Sequence, residues 1–349
     1  MHRCLDLAAL SRGYTAPNPM VGAVLVHEGR VIGEGRHELY GQAHAEVNCF
    51  DSVAAADKHL VPEATMYVSL EPCAHYGKTP PCALRIIAAG VRKVVICNPD
   101  PFAAVNGRGI QLLEEAGIRV VSGLSEHKGA WLNRRFFSFH RQQRPYIILK
   151  WAQTGRGIFA PANRERLQLS NNYSQRLSHR WRTEESAILV GYRTALNDNP
   201  RLQARLWQGP QPLRIVLDRD LLLPVTHHLL DDSSPTWIIN SHKEAISGQT
   251  HFKILPAGPE LLPALLQELY QAGKLSLIVE GGIQLLEQFI AADLWDEARI
   301  FTSPEQPGPG LAAPVLTAPK ALELPLDTDR LSLYLHPDNP FTYPQGMDL

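Results

Sequence analysis

Short apolar runs separated by amphipathic stretches dominate the first part of the chain. Short apolar runs bounded by turn residues predict buried strands, and apolar residues at a period of 3.6 predict helices. Glu28-Gly29 predicts a hairpin turn, and Gly90 predicts the end of a helix. Strands alternating with helices indicate an α/β domain with a largely parallel sheet. Strands are predicted at 21–27, 30–36, 65–70, 93–97 and 118–121, and helices at 3–10, 44–57, 82–90 and 109–116, with a loop at 71–82.

A polar and basic stretch at 138–145 interrupts this pattern and ends in Pro145. A second α/β pattern follows, so we predict two domains, 1–144 and 145–349. The second domain lacks the G-x-G-x-x-G fingerprint, so it is not an ordinary Rossmann domain. Its predicted strands are 146–152, 186–191, 213–218, 236–240, 275–280, 297–302 and 331–335; its helices are 172–184, 261–272 and one from Ile283, with a loop at 308–310.

Composition narrows the classes of function. With 34 basic and 35 acidic residues among 349, the net charge is −1, which disfavours bulk binding to a nucleic-acid backbone. No apolar run approaches the roughly 18 residues of a membrane span, and Asp6 interrupts the first residues where a targeting segment would be apolar. We therefore expect a cytoplasmic protein. Five cysteines, an odd number, indicate metal ligands or buried thiols rather than a disulfide framework.

The most informative residues form a possible metal site: His44, Cys73 after Pro72, and Cys82. One imidazole and two thiolates suit Zn²⁺ and leave a fourth position open for water, which is typical of catalytic rather than structural zinc. Zinc lowers the pKa of such a water to about 7. His44 and Cys82 both begin predicted helices, and a helix N-terminus favours the thiolate that a metal needs. Cys4, Cys49 and Cys97 lie in apolar segments and are predicted to be core thiols.

Glu46 lies two positions after His44, and positions i and i+2 do not share a helix face. It is poorly placed as a second ligand, but it can reach a water on the metal as a general acid/base, as in zinc deaminases. The alternatives are a closed structural zinc site and a nucleic-acid-editing deaminase. The second would need Cys-x-x-Cys spacing and a basic, aromatic groove, whereas here 74–81 separate the two cysteines.

The segments His44-Ala45-Glu46-Val47 and 71–82 (EPCAHYGKTPPC) resemble the bifunctional riboflavin-biosynthesis deaminase–reductase family, with further matches at 17–22, 33–37, 100–101 and 107–109. The resemblance implies a cytidine-deaminase-like three-layer domain followed by a dihydrofolate-reductase-like domain. It implies zinc-dependent deamination of a diaminopyrimidinone ribosylamine 5′-phosphate, then NADPH-dependent reduction of its ribosyl group to ribityl. The expected cofactors are Zn²⁺ and NADPH; the expected partners are this small molecule and, in a homo-oligomer, other copies of the chain, with no nucleic acid or membrane.

The resemblance also implies binding residues. Lys78 could neutralise a phosphate or be a solvated loop charge, and Gly281-Gly282 could hold a phosphate on backbone amides or be a plain turn. Two guanidiniums suit a 5′-phosphate but could also be surface charges. The implied substrate contacts are Asn18, His37, Lys78, Asp100, Arg182, Leu202, Arg205 and Glu280. The implied NADPH contacts are Gln153, Thr194, Asp198, Gly281 and Gly282.

Four positions of the second domain depart from the family pattern. Arg156 replaces an acid and Gln168 replaces a tryptophan, while Arg166 and Arg219 replace small hydroxyl residues. We expect these changes to cluster around the cofactor and substrate pocket and to weaken NADPH binding. The alternative is a deaminase whose reductase domain is degenerate and only shapes the substrate site or the oligomer.

Overall fold

The computed structural model describes residues 1–74, 80–102, 105–162, 168–305 and 308–347. The chain divides into unit 1, Met1–Gln142 with Tyr343–Leu349, and unit 2, Gln143–Thr342. The sequence placed this boundary after 144 and assigned the last residues to the second domain. The predicted break at 138–145 is instead helical as far as Gln142, because the apolar face of that segment is buried. None of the described helices is long and apolar enough to cross a membrane.

Unit 1 is a five-stranded sheet with helices on both faces, in the order β2-β1-β3-β4-β5. Its strands are β1 Gly22–His27, β2 Arg30–Arg36, β3 Thr65–Leu70, β4 Lys93–Asn98 and β5 Arg119–Ser122. Its helices are α1 His2–Ala9, α2 Ala45–Asp51, a 3₁₀-helix Ala55–Glu63, α3 Cys82–Ala88, α4 Arg108–Glu115, α5 Glu126–Leu132 and α6 Arg134–Gln142.

The largely parallel sheet predicted for this unit is wrong for half of the pairings. β1 is antiparallel to both β2 and β3, and only the β3–β4 and β4–β5 pairs are parallel. The β1–β2 hairpin reverses the direction of the chain. The chain then crosses over through α2 and enters β3, which lies on the other side of β1 and runs in the same direction as β2. The expected three layers are confirmed, since α1 and α5 cover one face and α2, α3 and α4 cover the other.

Helix α2 lies unusually close to the sheet because β2 offers glycine beneath it. A Cβ on Gly35 would lie 2.3 Å from the backbone nitrogen of Cys49 and 2.7 Å from the carbonyl oxygen of Ala45.

The helix predicted for 44–57 ends early, at Asp51. Ser52 Oγ donates to the Cys49 carbonyl and accepts the Glu34 N–H, so its side chain competes with the next helical turn.

Unit 2 contains a ten-stranded sheet, in the order β11-β12-β10-β9-β8-β13-β6-β14-β17-β16. The run from β12 to β14 is parallel, and the outer pairs are antiparallel. Its strands are β6 Tyr146–Thr154, β7 Ile158–Pro161, β8 Ala187–Gly191, β9 Leu213–Leu217, β10 Thr236–Asn240, β11 Ala245–Ser247, β12 Thr250–Ile254, β13 Ser276–Val279, β14 Glu297–Ser303, β15 Gly310–Ala312, β16 Lys320–Leu326 and β17 Asp329–Leu335. Its helices are α7 Asn172–Glu184, α8 Tyr192–Asp198, α9 Leu261–Gln271 and α10 Ile283–Ala291, with 3₁₀ turns at His228–Leu230 and Gly258–Glu260.

The central strands of unit 2 were predicted because they are nearly continuous apolar runs, as expected of strands buried on both faces. The strands missed by the sequence are short, lie at an edge or, like β12, are only partly buried. β16 is mostly exposed and contains Pro325, features typical of an edge strand. The loop predicted at 308–310 is wrong at its end, because Gly310 begins β15 and pairs with Pro161 of β7.

Candidate functional site

Three possible metal ligands from separate elements of unit 1 meet at one point. His44 is the N-cap of α2, Cys73 follows β3 after Glu71-Pro72, and Cys82 is the first residue of α3. His44 Nδ1 lies 3.6 Å from Cys73 Sγ and 3.3 Å from Cys82 Sγ. All three ligand atoms lie within 4.8 Å of one another. The structure thus brings together the three residues that the sequence predicted as a metal site.

These distances fit zinc. With Zn–S near 2.3 Å and Zn–N near 2.0–2.1 Å, tetrahedral geometry places nitrogen and sulfur ligands about 3.5 Å apart. The two observed nitrogen–sulfur distances, 3.6 and 3.3 Å, lie on either side of this value. In the described part of the chain, this trio is the cluster of histidine, cysteine and acidic groups that could hold a metal ion. Three protein ligands leave one tetrahedral position for water, as in catalytic zinc sites.

The Cys82 thiol donates a hydrogen bond to the Cys73 sulfur, which couples the ionisation of the two groups. The pKa of Cys73 is lowered, chiefly by this hydrogen bond, with help from His44 and from the Cys82 N–H at 3.3 Å. The pKa of Cys82 is raised by that same hydrogen bond and by burial. A metal ion that binds both sulfurs must displace the Cys82 thiol proton, so metal binding here is linked to pH.

Glu46 lies beside the trio as a buried carboxyl group, with 3% of its surface exposed. Burial, together with the neighbouring Cys73 thiolate, raises its pKa to about 7. It lines the same cavity as His44 and Cys73 but does not belong to the cluster of ligand atoms. A carboxyl group that titrates near neutral pH can both accept and return a proton, which suits general acid/base chemistry.

His44, Cys73 and Glu46 line a cavity of about 440 Å³, together with three of the four substrate contacts implied for unit 1. Asn18 Nδ2 lies 3.2 Å from His37 Nε2, and His37 Nδ1 lies 3.0 Å from the Ala43 carbonyl oxygen. The Ala43 carbonyl therefore accepts the Nδ1 proton, which leaves Nε2 to accept from Asn18. The fourth contact, Lys78, lies outside the described residues.

Asp100 places a second buried carboxyl group in the cavity wall. Its pKa is raised to about 6, first by burial and then by the nearby Glu71 and Cys73. Its Oδ1 accepts the Phe102 N–H at 2.8 Å, which fixes the side chain. A fixed carboxyl group in a largely apolar cavity is suited to pair with N–H groups of a heterocycle.

Sequence reasoning missed the aromatic wall of this cavity. The His140 ring lies 4.4 Å from the Phe136 ring and 5.0 Å from the Phe102 ring, between ring centres, and Phe139 completes the wall. Two of these residues, Phe139 and His140, fall in the break predicted at 138–145 because of their polar and basic neighbours. The signal that could have identified them is the pair of phenylalanines three residues apart, which share one face of a helix.

Glu71 was also missed, although it precedes the Pro-Cys motif. It is buried, and each of its carboxylate oxygens accepts two backbone N–H groups: Oε2 from Asp100 and Gly107, and Oε1 from Gly109 and Ile110, at 2.9–3.2 Å. It therefore holds the start of α4 and the Asp100 loop against the segment that carries Cys73. Its identity as a positioning residue could not be read from the motif alone.

We expect Glu71→Gln to lower the free energy of unfolding of unit 1 by about 2–6 kcal/mol. The amide nitrogen would face two buried N–H donors and leave them without an acceptor, at a cost of about 1–3 kcal/mol each. Hydrogen exchange of the β3 and β4 amides measures the change. Glu63→Gln is the matched control, since 68% of the Glu63 side chain is exposed. Equal exchange in the two variants would remove the structural role assigned to Glu71.

In unit 2, a cavity of about 710 Å³ lies at the carboxyl ends of β6 and β8. Thr194, Asp198 and Gly282 of the implied NADPH contacts line it. Gly282 is the N-cap of α10, and a Cβ there would lie 2.8 Å from Thr194 Oγ1. The absence of a side chain keeps the helix N-terminus open, where free N–H groups can bind a phosphate. These residues fit a dinucleotide cofactor.

The two other implied NADPH contacts, Gln153 and Gly281, do not line this cavity. Gln153 is turned to its own strand, where its Oε1 accepts the Trp151 Nε1–H at 2.8 Å. Gly281 lies behind Gly282 with a φ of +125°, in the region that favours glycine. Lys150, which the sequence did not single out as a contact, lines the cavity instead.

A second cavity in unit 2, of about 370 Å³, shares six lining residues with the first: Lys150, Gln168, Ser170, Thr194, Asp198 and Glu280. All four substrate contacts implied for this unit line it: Arg182, Leu202, Arg205 and Glu280. Leu202 is buried there with a φ of +55°. The two cavities therefore place the implied substrate and cofactor residues side by side.

The Glu280 carboxylate, whose side chain is 7% exposed, pairs with one edge of the Arg182 guanidinium group. Arg182 Nε and Nη2 donate to Glu280 Oε1 and Oε2 at 2.9 and 2.7 Å. Burial by itself would raise the pKa of Glu280, but Arg182 and Lys150 outweigh it and hold that pKa at about 2. The charge of Arg182 is thus already matched inside the protein, so the pairing of Arg182 with Arg205 around a phosphate stays a prediction.

The departures from the family pattern do not all lie at these cavities. Gln168 lines both of them. Arg156 is exposed on the turn between β6 and β7, and the side chain of Arg219 is 71% exposed, so the expectation that they lie at the pocket is wrong. Turns at the ends of strands direct long charged side chains to solvent. Arg166 lies outside the described residues.

We therefore expect Arg156→Asp to leave catalysis by unit 2 nearly unchanged, because the Arg156 side chain is exposed and lines neither cavity. Steady-state rates of NADPH oxidation measure this. Gln168→Trp, at a position that does line both cavities, is the matched comparison. A large gain or loss in the Arg156 variant would place this side chain in the working site.

Known proteins resemble the chain over both units. Residues 1–98 match the family described as cytidine and deoxycytidylate deaminase zinc-binding region, and residues 145–327 match the RibD C-terminal domain. The riboflavin biosynthesis protein RibD of Aquifex aeolicus is 37% identical over 320 residues, covering 89% of this chain and 88% of its own length. The RibD of Escherichia coli is 33% identical and covers 87% of each chain.

Solved structures resemble the whole chain as well. The diaminohydroxyphosphoribosylaminopyrimidine deaminase/5-amino-6-(5-phosphoribosylamino)uracil reductase of Thermotoga maritima superposes with a TM-score of 0.86 and 32% sequence identity, covering 96% of this chain and 97% of its own. A RibD of Acinetobacter baumannii has a TM-score of 0.86, 31% identity and the same coverage.

Proposed function

This chain belongs to the RibD family of riboflavin biosynthesis proteins, and from that premise we propose that it catalyses two reactions of riboflavin biosynthesis, a deamination in unit 1 and a reduction in unit 2. The observation that carries the proposal is the cavity of unit 1, where one histidine and two cysteines at zinc-ligand distances adjoin a buried glutamic acid. By analogy with the Thermotoga enzyme, the substrates are a diaminohydroxyphosphoribosylaminopyrimidine and its deaminated product.

In unit 1, His44, Cys73 and Cys82 hold the zinc ion, which lowers the pKa of a water when bound. Glu46 accepts a proton from the attacking water and delivers it to the amino group, which leaves as ammonia. Asn18, His37 and Asp100 orient the pyrimidine ring within the cavity. The aromatic wall excludes bulk water, which strengthens the hydrogen bonds inside.

In unit 2, Thr194, Asp198 and the N–H groups at the start of α10 hold NADPH, which supplies a hydride when bound. Lys150 and Glu280 lie where the two cavities join, between the implied cofactor and substrate residues. Burial lowers the pKa of Lys150, so its ammonium group releases a proton more readily than an exposed lysine. We assign Lys150 the proton that accompanies the hydride, and Glu280 the orientation of Lys150 and Arg182.

NADPH oxidation with the deaminated substrate supplied directly tests this assignment, because unit 1 is then not required. We expect oxidation by the wild-type protein, with NADPH binding weaker than the family norm because Gln168 replaces a tryptophan whose flat surface could stack. Calorimetric titration measures the binding itself. No heat at millimolar NADPH would mean that unit 2 is a scaffold for the deaminase.

We also propose a homo-oligomer in the cytoplasm, as expected from the sequence. Light scattering of the purified chain and fractionation of the cells that produce it test the two statements. A monomer in solution, or recovery with membranes, would contradict them.

A further inference from the structure

One face of α7 lines the second cavity of unit 2 with polar side chains. Gln175, Ser178, His179 and Arg182 all contribute to its wall, and this spacing places them on one stripe of the helix. Asn171 fixes the start of the helix, since its Oδ1 accepts the Ser174 N–H at 2.9 Å. The proposed function uses only Arg182 from this stripe.

His179 differs from its neighbours on the stripe in its hydrogen bonds. Gln175 Nε2 donates to the Ser170 carbonyl, and Ser178 Oγ donates to the Ser174 carbonyl. Arg182 is held by Glu280. His179 accepts the backbone N–H of Arg205 through Nδ1 at 2.8 Å, and only 7% of the residue is exposed.

This hydrogen bond fixes the tautomer of His179. A ring nitrogen that accepts an N–H carries no proton, so the neutral ring carries its proton on Nε2. Burial, with Arg182 and other cations nearby, lowers the pKa of His179 to about 4, against the opposing effect of Glu280. The imidazole is therefore a neutral hydrogen-bond donor at physiological pH.

The cavity that His179 lines is suited to an anionic, oxygen-rich ligand. Four basic side chains and two acidic side chains contribute to its wall: Lys150, Arg182, Arg201 and Arg205, against Asp198 and Glu280. An excess of positive charge attracts a phosphate group. A neutral N–H donor adds a directed contact to an oxygen acceptor without adding further charge.

The segment opposite His179 is rigidly held. Arg182 Nη1 donates to the Gln203 carbonyl at 3.2 Å, and the Ala204 N–H donates to Gln211 Oε1 at 2.7 Å. His179 holds the next residue, Arg205. Helix α7 thus holds Gln203 and Arg205 of the segment that carries two implied substrate contacts, so the donor and the segment keep a fixed relation.

From this arrangement, and resting on the proposed reductase function, we propose that His179 is a substrate-binding residue of unit 2. Its Nδ1 anchors the Leu202–Arg205 segment, and its Nε2–H donates to an oxygen of the phosphorylated ribosyl part of the substrate. The anchoring role alone would be structural, so the proposal depends on the donor.

Three variants separate the donor from the anchor. His179→Asn places an amide oxygen near the position of Nδ1 and keeps the anchor, but it has no group at the position of Nε2. His179→Gln places an amide N–H near Nε2 but loses the acceptor at Nδ1. His179→Ala removes both. The affinity of each purified full-length variant for the deaminated substrate is measured by calorimetry, alongside kcat and KM for NADPH oxidation.

We expect affinity for the deaminated substrate to decrease in the order wild type, His179→Gln, His179→Asn, with His179→Ala similar to His179→Asn. Loss of a hydrogen bond to a charged oxygen weakens binding by about 10-fold to 100-fold. The change should appear in substrate affinity and KM, with the affinity for NADPH unchanged. That unchanged NADPH affinity, with the deaminase rate of the same preparations, shows that both units are folded.

Other orders overturn the proposal. If His179→Asn binds the substrate as well as wild type, or better than His179→Gln, then His179 acts only as an anchor. If the wild-type protein itself does not bind the deaminated substrate, the proposed function of unit 2 fails together with this inference. Binding by wild type and equal binding by His179→Asn would remove this inference alone.

Discussion

Glu46→Gln is expected to lower the deaminase kcat by about 10²–10⁴-fold while the zinc content of the protein stays unchanged. Loss of a positioned general acid/base has an effect of this size. The glutamine is isosteric and neutral, and its amide cannot take up and return a proton at neutral pH. Because Glu46 lies outside the trio of ligand atoms, the metal does not depend on it.

Single-turnover deamination and metal analysis of the same samples measure this pair of outcomes. Glu63→Gln is a control for the chemical change itself, since the Glu63 side chain is exposed. The NADPH oxidation rate in unit 2 serves as an internal reference for active protein. A Glu46→Gln protein that deaminates at nearly the wild-type rate would assign the proton transfer to another group.

Cys82→Ser is expected to remove zinc and deamination together. Even loss of a group that merely orients a zinc ligand weakens metal binding by about 10–100-fold, so loss of a ligand should exceed that range. The hydroxyl group of serine remains protonated where the thiolate binds, and Cys82 also donates its backbone N–H to Cys73, which the substitution keeps. Zinc should fall from about one per chain to well below that.

Cys49→Ala is the matched control for this substitution. Cys49 is a buried cysteine of α2 that does not belong to the trio of possible metal ligands. Its loss should leave the zinc content intact at some cost in stability. Undiminished zinc in Cys82→Ser, measured after dialysis against a weak chelator, would contradict the ligand assignment.

Features that depend on residues close together in the chain could be predicted from the sequence, whereas features that depend on contacts between distant segments could not. The ligand types, the separation of Glu46 from them and the starts of α2 and α3 are local features, encoded within a few residues of each motif. The apolar runs of the central strands are equally local, because a strand buried on both faces needs apolar residues at nearly every position. Cys4, Cys49 and Cys97 are buried thiols, as their apolar surroundings predicted.

Pairings between distant segments could not be read in the same way. The antiparallel placement of β1 depends on which side of the hairpin the α2 crossover returns to, and no single segment records that choice. Short and exposed edge strands such as β16 lack the apolar pattern that identifies a strand. The aromatic wall of the deaminase cavity was not predicted, because the second half of its helix α6 falls in the polar and basic stretch that predicts a break at 138–145.

By itself, the sequence determined which residues form the first candidate site, since residue type and spacing single out His44, Cys73, Cys82 and Glu46 for the chemistry that we propose. Only the tertiary structure decided that Glu71 accepts hydrogen bonds from four distant N–H groups. It also decided that Glu280 forms an ion pair with Arg182 and that Arg156 faces solvent. The physical reason is that hydrogen bonds and burial are satisfied between segments far apart in the chain, and a charge that looks available in a motif is often already matched by a partner from another element.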